Sequence, residues 1–204
     1  MKNPFILYRI VGIDWAKNVD STVCTLVEVD GNIKRVLDWL ELQGENYDYQ
    51  IDIVKDWVED KDRNNPDSPI SVIVCDATGV GDPLVDMLRR KTTIPVEGFI
   101  WSAQSHSDAF KLLLNEIMNK RIEIPAGPET RKTKEYRKFT EQILNLDKEY
   151  KGNLIRCHHP EEPGAHDDYI SSLALAVYQA GLPYLDSLGN EVNLTGSVAK
   201  KYYK

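Results

Sequence analysis

The sequence predicts an α/β domain: a mixed sheet in which an antiparallel meander is followed by parallel strands, with helices on both faces. Three observations carry this. Two strand-like runs meet at Asp30-Gly31, a pair that favours tight hairpins. The run Ile70-Ser71-Val72-Ile73-Val74-Cys75 is almost wholly apolar and β-branched, as a strand buried on both faces requires. Beyond it, strand-like and helix-like segments alternate, the order that builds parallel strands with helical crossovers. One domain is expected over residues 1–183, with a weakly ordered tail over 184–204.

The elements follow in order. Residues 6–16, 20–29 and 33–42 read as the three strands of the meander. From Tyr49 to Asp60, the apolar residues Ile51, Val54, Trp57 and Val58 recur at helical spacing. The segment from Asp62 to Pro69 is rich in Asn, Pro and Asp and reads as a loop. After the buried strand, Gly79-Val80-Gly81-Asp82-Pro83 opens a helix, with Pro83 suited to the first turn. Ile94 to Ile100 is the next strand, Ser107 to Asn119 a helix, and Arg121 to Ile124 a short strand. Glu129 to Leu146 reads as one long polar helix, and Asn153 to Cys157 as a strand or hairpin arm. A last helix runs from Asp167 to Ala180, ended by Gly181 and Pro183.

The chain of 204 residues, 42% hydrophobic and 28% charged, has the make-up of a globular domain with its own core. No apolar run is long enough to cross a bilayer, and no apolar segment of signal-peptide type follows the first residues. Cys24, Cys75 and Cys157 are odd in number and never in a CxxC pair. That argues against a disulfide framework or zinc knuckle and fits a reducing compartment. The formal net charge of −7 argues against a general nucleic-acid coat but does not exclude a nuclease, whose affinity depends on local charge.

Three aspartates stand where apolar stretches end: Asp14 in Ile10-Val11-Gly12-Ile13-Asp14-Trp15, Asp76 after the buried strand, and Asp168 at the start of the last helix. In an open α/β sheet, ligands gather at the carboxyl ends of strands. Asp14 shares an alternating face with Ile10 and with Gly12, which has no side chain to crowd it. If the first and fourth strands are neighbours, Asp14 and Asp76 approach each other and the last helix brings Asp168 across. Clustered carboxylates repel one another unless a cation joins them. Oxygen donors without thiolates favour Mg²⁺ or Mn²⁺, and two such ions suit phosphodiester hydrolysis without a Ser nucleophile or His base. Each residue also has a plainer reading: Asp14 borders a turn, Asp76 accepts backbone N–H bonds, and Asp167 caps the last helix. Successive helical residues differ in direction by about 100°, so Asp167 and Asp168 cannot both point equally at one metal site, and Asp167 is the better placed of the two to cap the helix.

The densest positive segment contains Arg131, Lys132, Lys134, Arg137 and Lys138 around a single glutamate. It reads either as a phosphate-contacting surface for DNA or as a solvated helix face. His158 and His159 are candidate metal ligands, or else a pair that is hydrogen-bonded or exposed.

Three motifs together resemble the nuclease domain of large terminase subunits from tailed double-stranded DNA phages. They are Gly12-Ile13-Asp14-Trp15-Ala16, then Cys75-Asp76-Ala77-Thr78-Gly79-Val80-Gly81-Asp82, then His166-Asp167-Asp168-Tyr169-Ile170-Ser171-Ser172-Leu173-Ala174. The resemblance covers about residues 8–180. It implies a ribonuclease H-like fold and a two-metal endonuclease that cuts concatemeric viral DNA during packaging, in the cytoplasm of the infected host cell. The family's metal-binding carboxylates fall on Asp14, Asp76 and Asp168, with Asp167 at an adjacent acidic position. Whole members also carry a packaging ATPase and work with a small terminase subunit and a portal. This chain has no G-x-x-x-x-G-K-[ST] phosphate loop, so it resembles the nuclease domain alone, expected to be monomeric. The family's hairpin near the active site has residues 147–160 as its candidate.

Other readings compete. A Holliday-junction resolvase or transposase-like nuclease would share the fold and metals, and a resolvase would be a dimer. A nucleotide-binding fragment of the sugar-kinase and actin fold also begins with a Gly-x-Asp strand, but needs two domains around a cleft. A non-catalytic module would have no use for a costly acidic triplet.

Overall fold

The computed structural model describes residues 7–15, 21–44, 46–79, 81–160, 166–182, 184–185 and 191–192. Strands β1 (Tyr8–Asp14), β2 (Thr22–Asp30) and β3 (Ile33–Leu42) form the meander, turning at Gly31 with φ +57°. Helix α1 (Tyr47–Arg63) leads to β4 (Ile70–Asp76), α2 (Gly81–Lys91) and β5 (Val96–Phe99). Helix α3 (Ala103–Met118) and β6 (Ile122–Glu123) follow. A 3₁₀ turn at Thr130–Lys132 precedes α4 (Lys134–Leu144), and the hairpin β7 (Asp147–Lys151) and β8 (Leu154–His158) precedes α5 (Asp168–Gly181). The main sheet has the order β5-β4-β1-β2-β3-β6. Strand β1 pairs antiparallel with β2 and parallel with β4, so the mixed sheet expected from the sequence is present.

The two faces of the sheet hold separate cores. Val11, Ile13, Cys24, Ile73 and Cys75 pack with Ile51, Val54 and Val58 of α1 and Leu84, Val85 and Leu88 of α2. Ile10, Val23, Val27, Val74 and Trp39 pack with α3, α4 and α5 through Phe110, Phe139, Ile170, Leu173 and Val177. Helix α5 is apolar nearly all round because it lies on β1 and β2 beneath other elements. An extra residue in β3, between the partners of Leu26 and Val27, lets Val36 and Trp39 share one face despite their spacing of three.

Two buried cations tie the periphery down. Arg9 donates to the carbonyls of Ser68, Lys61 (2.9 Å) and Asn65 (3.1 Å), satisfying acceptors at and beyond the end of α1. Lys34 of β3 meets Glu116 of α3 at 2.5 Å with both side chains almost inaccessible. All three cysteines are buried thiols.

The polar helix expected over 129–146 is broken. Thr133 adopts an extended conformation (φ −68°, ψ 154°), and its side chain accepts from the Tyr136 N–H, so it starts α4 afresh. Helix α3 begins four residues before the expected Ser107. Ser102 and Ser105 form a capping box there, with Ser standing where Glu or Gln is usual. The candidate hairpin is present as β7 and β8, paired from Asp147↔His158 to Lys151↔Leu154. In the expected tail, Tyr184–Leu185 pairs with Glu191–Val192, and the rest of 184–204 lies outside the described residues. No described helix is long and apolar enough to cross a membrane.

Candidate active site

The register of β1 against β4 sets the site. Gly12 pairs with Val74 and Ile13 with Cys75, which brings Asp14 and Asp76 to the same end of adjacent parallel strands. Strand alternation puts Asp14 on the face of Ile10 and Gly12, and Asp76 on the face of Val74, the side covered by α5. Gly12 lets that helix approach: a Cβ there would lie 2.0 Å from the Ser172 carbonyl oxygen. Thr25 of β2 and Ser172 hydrogen-bond between side chains at 2.6 Å, fixing the helix along the sheet. Its N-terminus then delivers Asp168 beside the strand ends.

One cleft is lined by Asp14, Asp76, Asp167 and Asp168, with Trp15, Trp101, His106 and Ser171. All four acidic residues singled out in the sequence are thus brought together. Among the described residues, however, no three His, Cys, Asp or Glu side chains stand close enough to hold a metal ion. The carboxylates share an open cleft rather than a closed cage. Some of their capacity serves the backbone: Asp76 Oδ1 accepts from the Thr78 N–H (2.7 Å), the turn bond expected of an aspartate at this place. Thr78 Oγ1 accepts from the Trp101 N–H (2.9 Å), linking that turn to the opposite wall.

Asp167 differs from expectation. It occupies the N-cap position of α5, but its side chain makes no capping bond. Its Oδ2 instead accepts from the His159 N–H at 3.3 Å, just beyond β8. The expected division of direction between Asp167 and Asp168 does not hold either. Asp167 precedes the first helical residue, with φ −130° and ψ 14°, so helical geometry does not separate the two, and both line the cleft.

His158 and His159 do not line the cleft. Nδ1 of His158 lies 2.7 Å from the His159 carbonyl, and Nδ1 of His159 lies 2.8 Å from the Pro160 carbonyl. The histidine that reaches the cleft is His106, which sequence reasoning missed. It stacks on Phe110 (centroids 4.4 Å apart) beside Trp101 (5.4 Å). Burial pulls its pKa below the ordinary imidazole value, against the opposing charge of Asp167. The signal for it was local: the capping box at Ser102 starts α3 early and places His106 in its first turns, next to Trp101.

The basic cluster stands apart, since neither α4 nor the preceding turn lines the cleft. Lys132 pairs with Glu129 at 2.7 Å. Lys134 and Lys138 both pair with Glu41 of β3, whose side chain is only 3% exposed. Burial raises the Glu41 carboxyl, but hydrogen bonds from Lys138, Lys134 and Ser21 outweigh it and hold the pKa below the ordinary value. Arg131 and Arg137 are exposed.

The model of the terminase RNaseH-like domain family matches residues 11–179. No curated protein matches the chain in sequence. Solved structures share the fold. The large terminase nuclease from thermophilic phage G20c with bound magnesium superposes with a TM-score of 0.65 at 19% identity, over 87% of this chain and 83% of that one. The same nuclease is also solved with bound cobalt and with bound zinc. The Thermus phage P74-26 large terminase nuclease domain gives 0.61 at 16% identity, over 85% and 80%. The large terminase from another thermophilic bacteriophage gives 0.62 at 10% identity, and there the match spans 88% of this chain but 41% of that one. The mixed sheet with its covering helices is therefore a ribonuclease H-like fold.

Proposed function

The chain belongs to the terminase RNaseH-like domain family, and from that premise we propose that it is a metal-dependent endodeoxyribonuclease cutting concatemeric viral DNA during genome packaging. One observation carries this reading: two adjacent strand ends and the start of α5 bring Asp14, Asp76, Asp167 and Asp168 to one cleft. Carboxylate oxygens with no thiolate among them suit a hard divalent cation, Mg²⁺ or Mn²⁺. The metals bound by the G20c nuclease support divalent ions as a class. Asp14, Asp76 and Asp168 are the proposed ligands, with Asp167 assisting, and their side chains would have to draw together from the open cleft around the ions. A pair of ions would supply an activated water and charge stabilisation for the leaving oxygen.

The chain's own contribution is placement. Strands β1 and β4 fix Asp14 and Asp76 through backbone pairing, and the bond from Thr78 holds Asp76 in one orientation. Trp101 and His106 wall the cleft and limit the water around the reacting phosphate. Double-stranded DNA is the proposed substrate. Arg131 and Arg137 are the members of the basic cluster best available to phosphates. Lys132, Lys134 and Lys138 would meet DNA only alongside their carboxylate partners. In the whole terminase, an ATPase domain, a small subunit and a portal are the proposed partners, in the host cytoplasm, and the nuclease domain alone is a monomer.

A plasmid-nicking assay tests the proposal. Supercoiled DNA should be relaxed and linearised with Mn²⁺ or Mg²⁺ and left intact with EDTA. Cutting that persists in EDTA overturns the two-metal reading.

A further inference from the structure

Helix α5 has the sequence of a self-capped helix and the geometry of one capped from outside. Aspartate is among the best N-cap residues, because its carboxylate accepts from the N–H two or three positions on. Asp167 holds that position and makes no such bond. Of the two N–H groups such a cap serves, that of Tyr169 donates to Oε1 of Gln142 on α4 at 2.8 Å and that of Ile170 to the Asp167 carbonyl at 2.9 Å. The Asp167 carboxylate is engaged elsewhere, accepting from the His159 N–H and lining the acidic cleft. Only its backbone serves the helix, the carbonyl accepting from Ile170 (2.9 Å) and Ser171 (2.8 Å).

We infer that Gln142 is a positioning residue for the cleft: by capping α5 in place of Asp167, it keeps the Asp167 carboxylate beside Asp168. Position 142 is set by the anchoring of α4 on β3. Phe139, buried one helical turn earlier, packs on Trp39 with ring centroids 5.2 Å apart, and Lys134 and Lys138 hold Glu41. Gln142 is neutral and is not among the residues that line the cleft, so it acts through the helix start and not on the substrate. Without it, the Tyr169 N–H would lack an acceptor, and the N-cap carboxylate of Asp167 is the group a helix start ordinarily uses for it. The carboxylate would rotate onto its own helix and leave both the cleft and His159. This assignment rests on the nuclease reading for its purpose but not for its geometry.

Amide hydrogen exchange on the metal-free protein separates the two. In Gln142→Ala the His159 amide should exchange about five- to tenfold faster, having lost its acceptor, although Gln142 makes no bond to His159. Gln142→Glu retains an oxygen acceptor and should leave His159 exchange as in the wild type, which controls for a general loosening of α4. Mn²⁺ titration gives the second readout. Gln142→Ala should weaken Mn²⁺ binding roughly tenfold, the effect usual for residues that orient metal ligands, and adding Asp167→Ala should weaken it no further. Unchanged His159 exchange in Gln142→Ala overturns the assignment, as do losses of Mn²⁺ affinity that add in the double variant. If the wild type binds no Mn²⁺, the nuclease reading falls, and the exchange result alone decides the role of Gln142.

Discussion

Gly12 of β1 lies directly against the Ser172 carbonyl of α5: a methyl group on Gly12 would sit 2.0 Å from that oxygen and 2.9 Å from the Ala176 nitrogen. Both obstacles are helix backbone, which cannot rotate away as a side chain would. Strand and helix are therefore in near contact along the edge that presents Asp14 and Asp168. The glycine is required by space and not by backbone conformation.

Gly12→Ala should accordingly cost at least about 1–3 kcal/mol, the usual penalty for overpacking. Urea denaturation measures it. A variant of wild-type stability would mean that α5 can slide on the sheet, and the fixed geometry claimed for the cleft would be lost with it.

The carboxylates divide by their second duties. Asp14→Asn, Asp76→Asn and Asp168→Asn should each abolish cleavage. Asp168→Asn should keep or raise the melting temperature without metal, because it removes one of several like charges from the cleft. Asp76→Asn retains an oxygen for the Thr78 N–H, whereas Asp76→Ala leaves that donor unserved and should lose about 1 kcal/mol besides. Equal stability of the Asn and Ala variants would remove the turn role. Asp167→Asn should lose less activity than Asp168→Asn. A dead Asp167→Asn beside an active Asp168→Asn would reverse the two assignments.

Much of this was legible in the sequence, for identifiable reasons. The meander declared itself through Asp30-Gly31, and β4 through a β-branched run that only a doubly covered strand can bury. The pairing of β1 with β4 stood only as a condition in the sequence, since an almost wholly apolar strand calls for cover on both faces but does not name its neighbours. What escaped was set by contacts between distant segments. Gln142 caps a helix that begins 26 residues later, so no local pattern marks it. Glu41 is an ordinary strand residue in sequence, and only the docking of α4 makes it a buried partner for two lysines. The break at Thr133 was visible in principle, because Thr before a helical run is a cap signal. The run of charges around it masked that signal.

The basic segment should behave as two groups. Arg131→Ala with Arg137→Ala should weaken DNA binding for all sequences alike and flatten its dependence on salt. Fluorescence anisotropy at several salt concentrations reads both effects, and an unchanged slope would make these arginines a solvated helix face. Lys138→Met should instead act on stability. It deprives a buried carboxylate of a charged donor, at a cost of about 1–3 kcal/mol. If Lys138→Met weakens DNA binding without destabilising the fold, the pairing with Glu41 does not hold α4.

Glu41 also makes acid stability testable. Its folded pKa lies below the ordinary 4.5, because hydrogen bonds from Lys138, Lys134 and Ser21 outweigh its burial. A carboxyl with a depressed folded pKa stabilises fully above its unfolded value, where both states are ionised. As pH falls below that value, the unfolded chain takes up the proton first, and the stabilisation shrinks until the folded state is protonated too. Glu41→Gln should thus be less stable than the wild type near neutrality, with the gap closing as pH falls through the region below 4.5. Thermal melts of both proteins from about pH 7 to about pH 3 measure that gap, and comparing the two removes the contribution of every other carboxylate. A gap that stays constant across the range would show that Glu41 ionises alike in both states, and that its lysines pair with it without stabilising the fold.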